Sequence, residues 1–147
     1  MPQLQIYSET LLVSMGTGPH IVNITPVLND MLQRLNFETG LLSLFVLGST
    51  GSVTTIEYEP GAVQDLRRAI NSLAEPGATY EHEKAWHDGN GHSHVQAALL
   101  GPSVSVPIRT GKLATGTWQQ VVLINHDNRA RERRVEATII GTKSPAQ

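Results

Sequence analysis

The sequence predicts an α+β protein, a largely antiparallel β-sandwich with two main helices, in a single domain over residues 1–147. Apolar residues recur at helical spacing in only two long segments. Other segments are short and rich in β-branched or apolar residues, as strands are. The elements follow the order strand, helix, two strands, helix and three strands, which lacks the regular alternation of a parallel α/β sheet.

The first half of the chain supplies both helices. Residues 4–15 are predicted to form a strand that ends at Gly16–Pro19. Thr25 and Pro26 suit the first turn of one helix, and Pro60–Gly61 suits the start of the other. Their buried faces are predicted to be Val27, Leu28, Met31, Leu32 and Leu35 in the first helix, and Ala62, Val63, Leu66, Ala69, Ile70 and Leu73 in the second.

Short strands account for most of the remainder. Residues 41–47 (LLSLFVL) are nearly all apolar, which predicts a strand covered on both faces. Residues 74–92 show no period, but Tyr80 and Trp86 favour an ordered loop over disorder. The segment 94–100 could form a short helix. Further strands are expected at 52–58, 103–108, 118–125 and 134–140, with the last two paired as a hairpin around 126–129.

Composition excludes several classes of function. The net charge is -2 and the pI is about 6.3, so no basic field points to nucleic acid. The absence of cysteine excludes disulfides, zinc–thiolate sites and a cysteine nucleophile. No signal peptide or apolar run near the ~20 residues of a membrane span is evident, so a soluble cytoplasmic protein is expected. The basic run 129–134 is interpreted as a solvated hairpin tip or as an anion-binding patch.

The segment HDGNGHSH, residues 87–94, is the strongest chemical signal. On an extended segment His92 and His94 would point the same way, with His82 nearby in the sequence. Neutral imidazole is a common metal ligand, so His82, His92 and His94 are candidate ligands of a divalent ion, zinc-like or magnesium. Metal-free acid–base or phosphate contacts, and simple bracing of a long loop, are the alternatives.

A carboxylate pair at the end of the 52–58 strand is the second signal. Glu57 and Glu59 share a strand face, where Glu57 could act as a base or complete a metal shell. The catalytic candidates are therefore His94, Glu57 and His82. In the alternative interpretation these carboxylates are a solvated strand end, with Glu59 stabilising the following helix through its dipole.

Two glycine-containing loops are candidate substrate-binding segments. The small, hydroxyl-rich turn at Ser49, Thr50 and Gly51 could offer N–H and O–H groups to an anion, although it lacks the Walker ending. In the second loop, Gly116 and Thr117 permit close approach, Trp118 offers a stacking face and Gln119 an amide for a heterocycle. Plain turns with a core tryptophan would explain the same patterns.

These segments together resemble the YjbQ family, whose members are described as secondary thiamine-phosphate synthases or as uncharacterised proteins. The resemblance covers almost the whole chain. It is strongest at Gly116–Gln119 after Gly111 and extends to Tyr80–His82, Ser93–His94, Leu100–Ser103 and Glu57. It implies a sheet sandwich assembled as a homotrimer, with sites near subunit boundaries. It also implies a small phosphorylated ligand.

The chain departs from that family at two positions. A histidine that many members carry is absent where this chain has Gly48, and His92 stands where other members often have proline. The hypothesis is that His92 substitutes for the missing histidine, in one cavity with His82, His94 and Glu57. An enzyme acting on a phosphorylated or heterocyclic molecule is expected. The alternatives are a non-catalytic trimer that binds a metal or anionic metabolite, and a trimer whose histidines only brace its subunits.

Overall fold

A computed structural model describes residues 2–145 and confirms the α+β class. Four helices and eight strands make up this part of the chain. The helices are α1 (Thr25–Leu35), α2 (Pro60–Leu73), α3 (Glu81–Trp86) and α4 (Gly91–Leu100). The strands are β1 (Gln5–Met15), β2 (His20–Asn23), β3 (Phe37–Val46), β4 (Gly51–Glu57), β5 (Ser103–Arg109), β6 (Lys112–Leu113), β7 (Gln119–Asn125) and β8 (Arg131–Lys143).

The strands form two antiparallel sheets, one of five strands in the order β1-β8-β3-β5-β6 and one of three in the order β2-β7-β4. The predicted hairpin between the strands at 118–125 and 134–140 is wrong. β7 lies between β2 and β4, whereas β8 lies between β1 and β3 in the other sheet. The connection at 126–130 therefore crosses between the sheets. The side chains of His126 and Asp127 are buried in it, whereas a hairpin tip would expose them.

β7 is the strand that is covered on both faces. Val121 and Leu123 point into a core shared with the five-stranded sheet. Val122 and Ile124 point the other way, into a second core that includes Ile70 of α2. The domain therefore has three layers: the five-stranded sheet, the three-stranded sheet, and the helices α2 and α4.

The apolar run 41–47 behaves differently from its prediction. Leu42 and Leu44 are fully buried, but Leu41 and Phe45 on the other face are 43% and 46% exposed. Ile140 of β8, which pairs with Leu41, is exposed to a similar degree. Among residues 2–145 of one chain, no layer covers the outer face of the five-stranded sheet.

The helices form where local signals favour them. Pro26 stands at the start of α1, and Leu28, Met31 and Leu32 of its apolar face are buried in the main core. Glu59 caps α2, accepting hydrogen bonds from the backbone N–H groups of Gly61 and Ala62. No helix among residues 2–145 combines the length and apolar character needed to cross a membrane.

Two helices place the histidine segment. α3 occupies part of the predicted loop, and α4 starts at Gly91 instead of His94. A side chain at Gly91 would collide with Tyr80 at the entrance to α3, so glycine allows the close packing of these helices.

Candidate functional site

The predicted site residues lie at opposite ends of the three-stranded sheet. At one end Gly51 pairs with Asn125, and at the other Glu57 pairs with Gln119. The six residue steps between Gly51 and Glu57 correspond to about 20 Å of strand. The histidines therefore share one end with the Ser49–Gly51 turn, and Glu57 shares the other end with the Gly116–Gln119 loop.

The histidine corner consists of His82 and Asp88 around α3, together with His94 on α4. The ring centroids of His82 and His94 are 4.4 Å apart. His82 Nε2 lies 3.0 Å from Asp88 Oδ1. Possible ligand atoms of His82, Glu83 and Asp88 lie within 4.8 Å of one another, which makes these three the candidate metal-binding group.

The two carboxylates also organise the loop that carries them. Glu83 accepts hydrogen bonds from the backbone N–H groups of Gly89 and Gly91, at 2.6 and 2.8 Å. Asp88 accepts one from the N–H of Asn90, and this bond is the main cause of the lowered pKa of Asp88. Both carboxylates are therefore fixed in place, and the lowered pKa keeps Asp88 ionised at neutral pH.

His92 does not join the other two histidines. Because α4 begins at Gly91, His92 and His94 are two residues apart on a helix, where side chains differ by about 200° instead of sharing a face. His92 is 8% exposed, and its Nε2 lies 3.2 Å from Ser93 Oγ. Burial lowers its pKa, which favours neutral imidazole.

The structure therefore does not gather the predicted set His82, His92 and His94 into one ligand shell. The hypothesis that His92 replaces a histidine at Gly48 required one cavity for His82, His92, His94 and Glu57. Within one chain that cavity does not form, because His92 faces the interior and Glu57 lies at the far end of β4.

The predicted anion-binding turn does lie beside His94. Ser49, Thr50, Asp88, His94 and Arg131 line a cavity of about 370 Å³. Ser49 is exposed, whereas Thr50 is buried and its hydroxyl donates to Asp127 Oδ2 over 2.9 Å. An adjoining, more apolar hollow of about 390 Å³ is lined by Phe45, Ser49, His94, Ala98 and Pro102. The corner thus offers a polar and an apolar surface side by side.

A buried polar network supports this cavity, and sequence reasoning missed it. Asp127 accepts hydrogen bonds from Thr50 and from Asn90 Nδ2, which links the turn before β4 to the start of α4. Asn125 Oδ1 accepts from Arg133 Nε at 3.1 Å beneath the same turn. The available signal was a polar triplet, Asn125 to Asp127, directly after the apolar run of β7.

Hydrogen bonding decides the charge of Asp127. Burial raises its pKa, but donors from Asn90, Thr50, Arg129 and Arg131 outweigh that effect and hold the pKa below its usual value. Arg131 Nε lies 3.1 Å from Asp127 Oδ2. A buried carboxylate therefore holds a partly exposed guanidinium at the edge of the cavity. Arg133, by contrast, is buried in the network.

The opposite end of the sheet holds Glu57 and Trp118. They line a hollow of about 380 Å³ with Asn23, Tyr58 and Gln120, and Trp118 is 72% exposed. The exposed indole excludes the core-tryptophan interpretation within one chain. Glu59 caps α2, which agrees with the alternative prediction that it stabilises the following helix.

The residues of the Gly116–Gln119 loop lie in two different environments. Gln119 Oε1 accepts from the N–H of Gly116, and its Nε2 donates to Thr55 Oγ1, both at 3.0 Å. These two bonds hold the Gln119 amide in place within the chain and leave one N–H and one lone pair unused. Gly116 and Thr117 instead border a cleft against α1.

Comparisons with known proteins agree with this architecture. The family model for UPF0047 proteins, YjbQ-like, matches residues 9–142. The UPF0047 protein YjbQ of Salmonella typhimurium is 34% identical over 138 residues, covering 92% of this chain and 98% of that protein. The crystal structure of a YbjQ-like protein of unknown function from Sulfolobus solfataricus P2 has a TM-score of 0.89 and 29% identity, covering 95% of this chain and 99% of that one. A hypothetical protein from Aeropyrum pernix K1 has a TM-score of 0.85 and 27% identity, covering 92% and 98% respectively.

Proposed function

The chain belongs to the family of UPF0047 YjbQ-like proteins, and we propose that it is an enzyme that acts on a small phosphorylated molecule at the histidine corner. The observation that carries the proposal is the juxtaposition of His82, His94 and Asp88 with the Ser49–Thr50 turn. His94, Asp88, Ser49 and Arg131 line one cavity, and His82 contacts His94 and Asp88 at its edge. Such convergence of titratable and hydrogen-bonding groups is typical of catalytic sites.

The donor set at the corner fits a transition-metal ion. His82, Glu83 and Asp88 would hold it, and an imidazole with carboxylates suits zinc better than magnesium, which prefers an all-oxygen shell. When bound, such an ion would act as a Lewis acid on a phosphoryl oxygen. His94 is outside this group of three and remains available to move a proton.

The chain's own groups would bind and orient the substrate. The exposed Ser49 hydroxyl can donate to a phosphate oxygen at the cavity wall. Arg131 is oriented by Asp127 and presents its remaining N–H groups to an anion. Ala98 and Pro102 of the adjoining hollow would contact an apolar part of the same molecule. Joining a pyrimidine pyrophosphate to a thiazole phosphate, as the family resemblance implies, is one candidate reaction of this kind.

Metal content and turnover test the proposal together. Protein purified without an affinity tag or chelator should carry about one zinc-like ion per chain by elemental analysis. His82→Ala and Asp88→Asn should lose the ion. His94→Ala should keep it while turnover of a phosphorylated-substrate panel, including the thiamine-phosphate reaction, falls by about 100-fold to 10,000-fold, as for loss of an acid–base group.

His87→Asn is the matched control for these variants. His87 is exposed at the end of α3 with φ 53°, a conformation that asparagine tolerates, and it lies outside the group of possible ligands. It should keep both metal and turnover. Circular dichroism confirms folding of each variant. Folded wild-type protein with neither metal nor turnover on any substrate of the panel would contradict the proposal.

A non-catalytic binding protein is the second candidate. One observation favours it: Glu83 and Asp88 already accept backbone hydrogen bonds, so the corner is ordered by the chain itself. An anionic metabolite would then contact Ser49 and Arg131 without a metal. If the chain is such a binding protein, its Tm should rise with ligand concentration and no substrate should be turned over.

We also propose that the chain assembles as a homotrimer through the outer face of the five-stranded sheet. Leu41 and Ile140 pair there across β3 and β8, and Phe45 is exposed on the same face four residues further along β3. A monomer would leave these apolar side chains in water. Light scattering coupled to size exclusion should give three times the chain mass of 16.0 kDa. A mass of one chain at micromolar concentration would exclude this assembly.

A further inference from the structure

A cleft between α1 and the loop from β6 to β7 belongs to neither proposal above. Its volume is about 580 Å³, which lies within the ~300–1,000 Å³ typical of small-molecule sites. It opens near Gln120, at the end of β7 away from the histidine corner. This amide cleft is lined by Asn29, Gln33, Asn36, Lys112, Thr117 and Gln120 above an apolar floor.

The floor of the amide cleft consists of core side chains. Leu32, Phe37 and Leu113 line it, and all three are buried in the main core. Such a floor is fixed in shape because its residues pack against both sheets. A flat ring lying on it would lose water from one face, and that burial favours binding by the hydrophobic effect.

The rim of the amide cleft is rich in groups that both donate and accept hydrogen bonds. Gln120 Oε1 accepts from Asn23 Nδ2 at 3.3 Å, which orients the amide and leaves its Nε2 available as a donor. Asn29 and Gln33 are exposed on consecutive turns of α1. Asparagine and glutamine amides pair with the donor and acceptor edges of heterocyclic rings.

The cleft also has a single charge. Lys112 is the one charged residue among its lining side chains, none of which is a carboxylate. Within residues 2–145 Lys112 makes no ion pair. Its ammonium group is therefore available to one anionic group of a ligand whose ring rests on the floor.

We propose that the amide cleft binds a planar, polar ring that carries one anionic group, the chemistry of a nucleoside monophosphate. The apolar floor accounts for the ring, the amides for its polar edge, and Lys112 for the anion. Because the cleft and the histidine corner lie at opposite ends of β7, this binding requires no metal and no turnover.

Titration of the full-length protein by ¹H–¹⁵N NMR tests this site with uridine monophosphate, uridine and inorganic phosphate as probes. Uridine monophosphate should shift the backbone resonances of Asn29, Gln33, Lys112 and Thr117 in a saturable way. Uridine and phosphate alone should bind at least tenfold more weakly. Lys112→Gln should weaken the binding of uridine monophosphate at least tenfold and leave the binding of uridine unchanged.

Lys84→Gln is the control, because Lys84 is an exposed lysine on α3, outside the amide cleft. It should not change binding of uridine monophosphate at the cleft. Equal effects of the two lysine variants would overturn the proposal. The proposal would also be overturned if inorganic phosphate bound as tightly as the nucleotide. A third contradicting result would be no saturable shifts at the cleft with millimolar uridine monophosphate.

Discussion

The hydroxyl of Ser52 lies 2.7 Å from Nε2 of His126, which joins β4 to the crossing between the two sheets. On the other side of the ring, Nδ1 lies 3.0 Å from Gln96 Oε1 of α4. Gln96 uses its nitrogen to donate to Asn71 and Ala74, so its oxygen accepts from Nδ1–H. Burial and the charge of Arg133 lower the pKa of His126 to about 4, so the ring is neutral at pH 7 and Nε2 accepts from Ser52.

Stability should fall as the pH drops from about 6.5 to about 4. Burial, with the charge of Arg133, lowers the pKa of His126 to about 4, so the folded chain stays unprotonated there while the unfolded chain binds a proton near pH 6.5. Over this window the single group should remove about 3 kcal/mol of unfolding free energy. Urea unfolding at several pH values measures this loss.

An NMR titration of the His126 ring provides the independent check. Its resonance should stay constant down to about pH 5, since the pKa lies near 4. His126→Gln should flatten the pH dependence of stability over this window. A His126 ring that titrates above pH 6 in the folded protein would show that this account is incorrect.

Asp127→Asn should cost about 3–5 kcal/mol of stability, the range for breaking a buried charged cluster. The change removes the charge that raises the pKa of Arg133 against the effect of burial, and an acceptor for Thr50 and Arg131. Asp65→Asn is the control, since it breaks only an exposed ion pair with Arg68 and should stay within about 0.5 kcal/mol. Similar urea midpoints for the two variants would contradict the role given to Asp127.

Gly141→Ala should prevent folding or severely destabilise the protein. Gly40 and Gly141 face each other between β3 and β8, and a Cβ at Gly141 would collide with the backbone oxygen of Thr39. The backbone of β3 cannot move aside to relieve this collision, as the end of a flexible side chain could. Gly16→Ala is the control, because the nearest atom to its Cβ would be His20 Nδ1 at 3.8 Å. Thermal unfolding of both variants measures the difference. Equal Tm values would show that the backbone contact at Gly141 leaves room for a Cβ.

Phe45→Gln should shift the assembly toward single chains without unfolding them, because the ring is 46% exposed on the outer sheet face. Leu73→Gln is the matched control: Leu73 is also exposed, but it lies at the end of α2. Sedimentation velocity should show a lower mass for the first variant alone. If both variants retain the wild-type mass, Phe45 is not part of the interface.

Local sequence signals predicted the elements better than their pairing. Pro26 and the spacing of Leu28, Met31 and Leu32 placed α1 correctly, because helix formation depends on neighbours in the chain. The hairpin prediction at 126–129 failed because a turn signal does not specify which strand pairs with which. β2 and β6, with four and two residues, were too short to show a period.

In the candidate site, too, contacts between residues distant in the chain were harder to predict than local structure. The proximity of Ser49 and Thr50 to His94 could not be derived from sequence, since it depends on packing between α4 and the turn before β4. The shared face expected for His92 and His94 presupposed an extended backbone, and the helix removed it. Asp127 and Asn90 are hydrogen-bonded across 37 positions, and no local pattern links them.

The position of β7 between two cores has a consequence for how the domain opens. Val121 and Leu123 belong to one core, and Val122 and Ile124 to the other, so neither core can separate without exposing this strand. The amide protons of Val121–Ile124 should therefore be among the slowest to exchange with solvent deuterium. Their exchange should report the free energy of complete unfolding, which makes the two cores one cooperative unit.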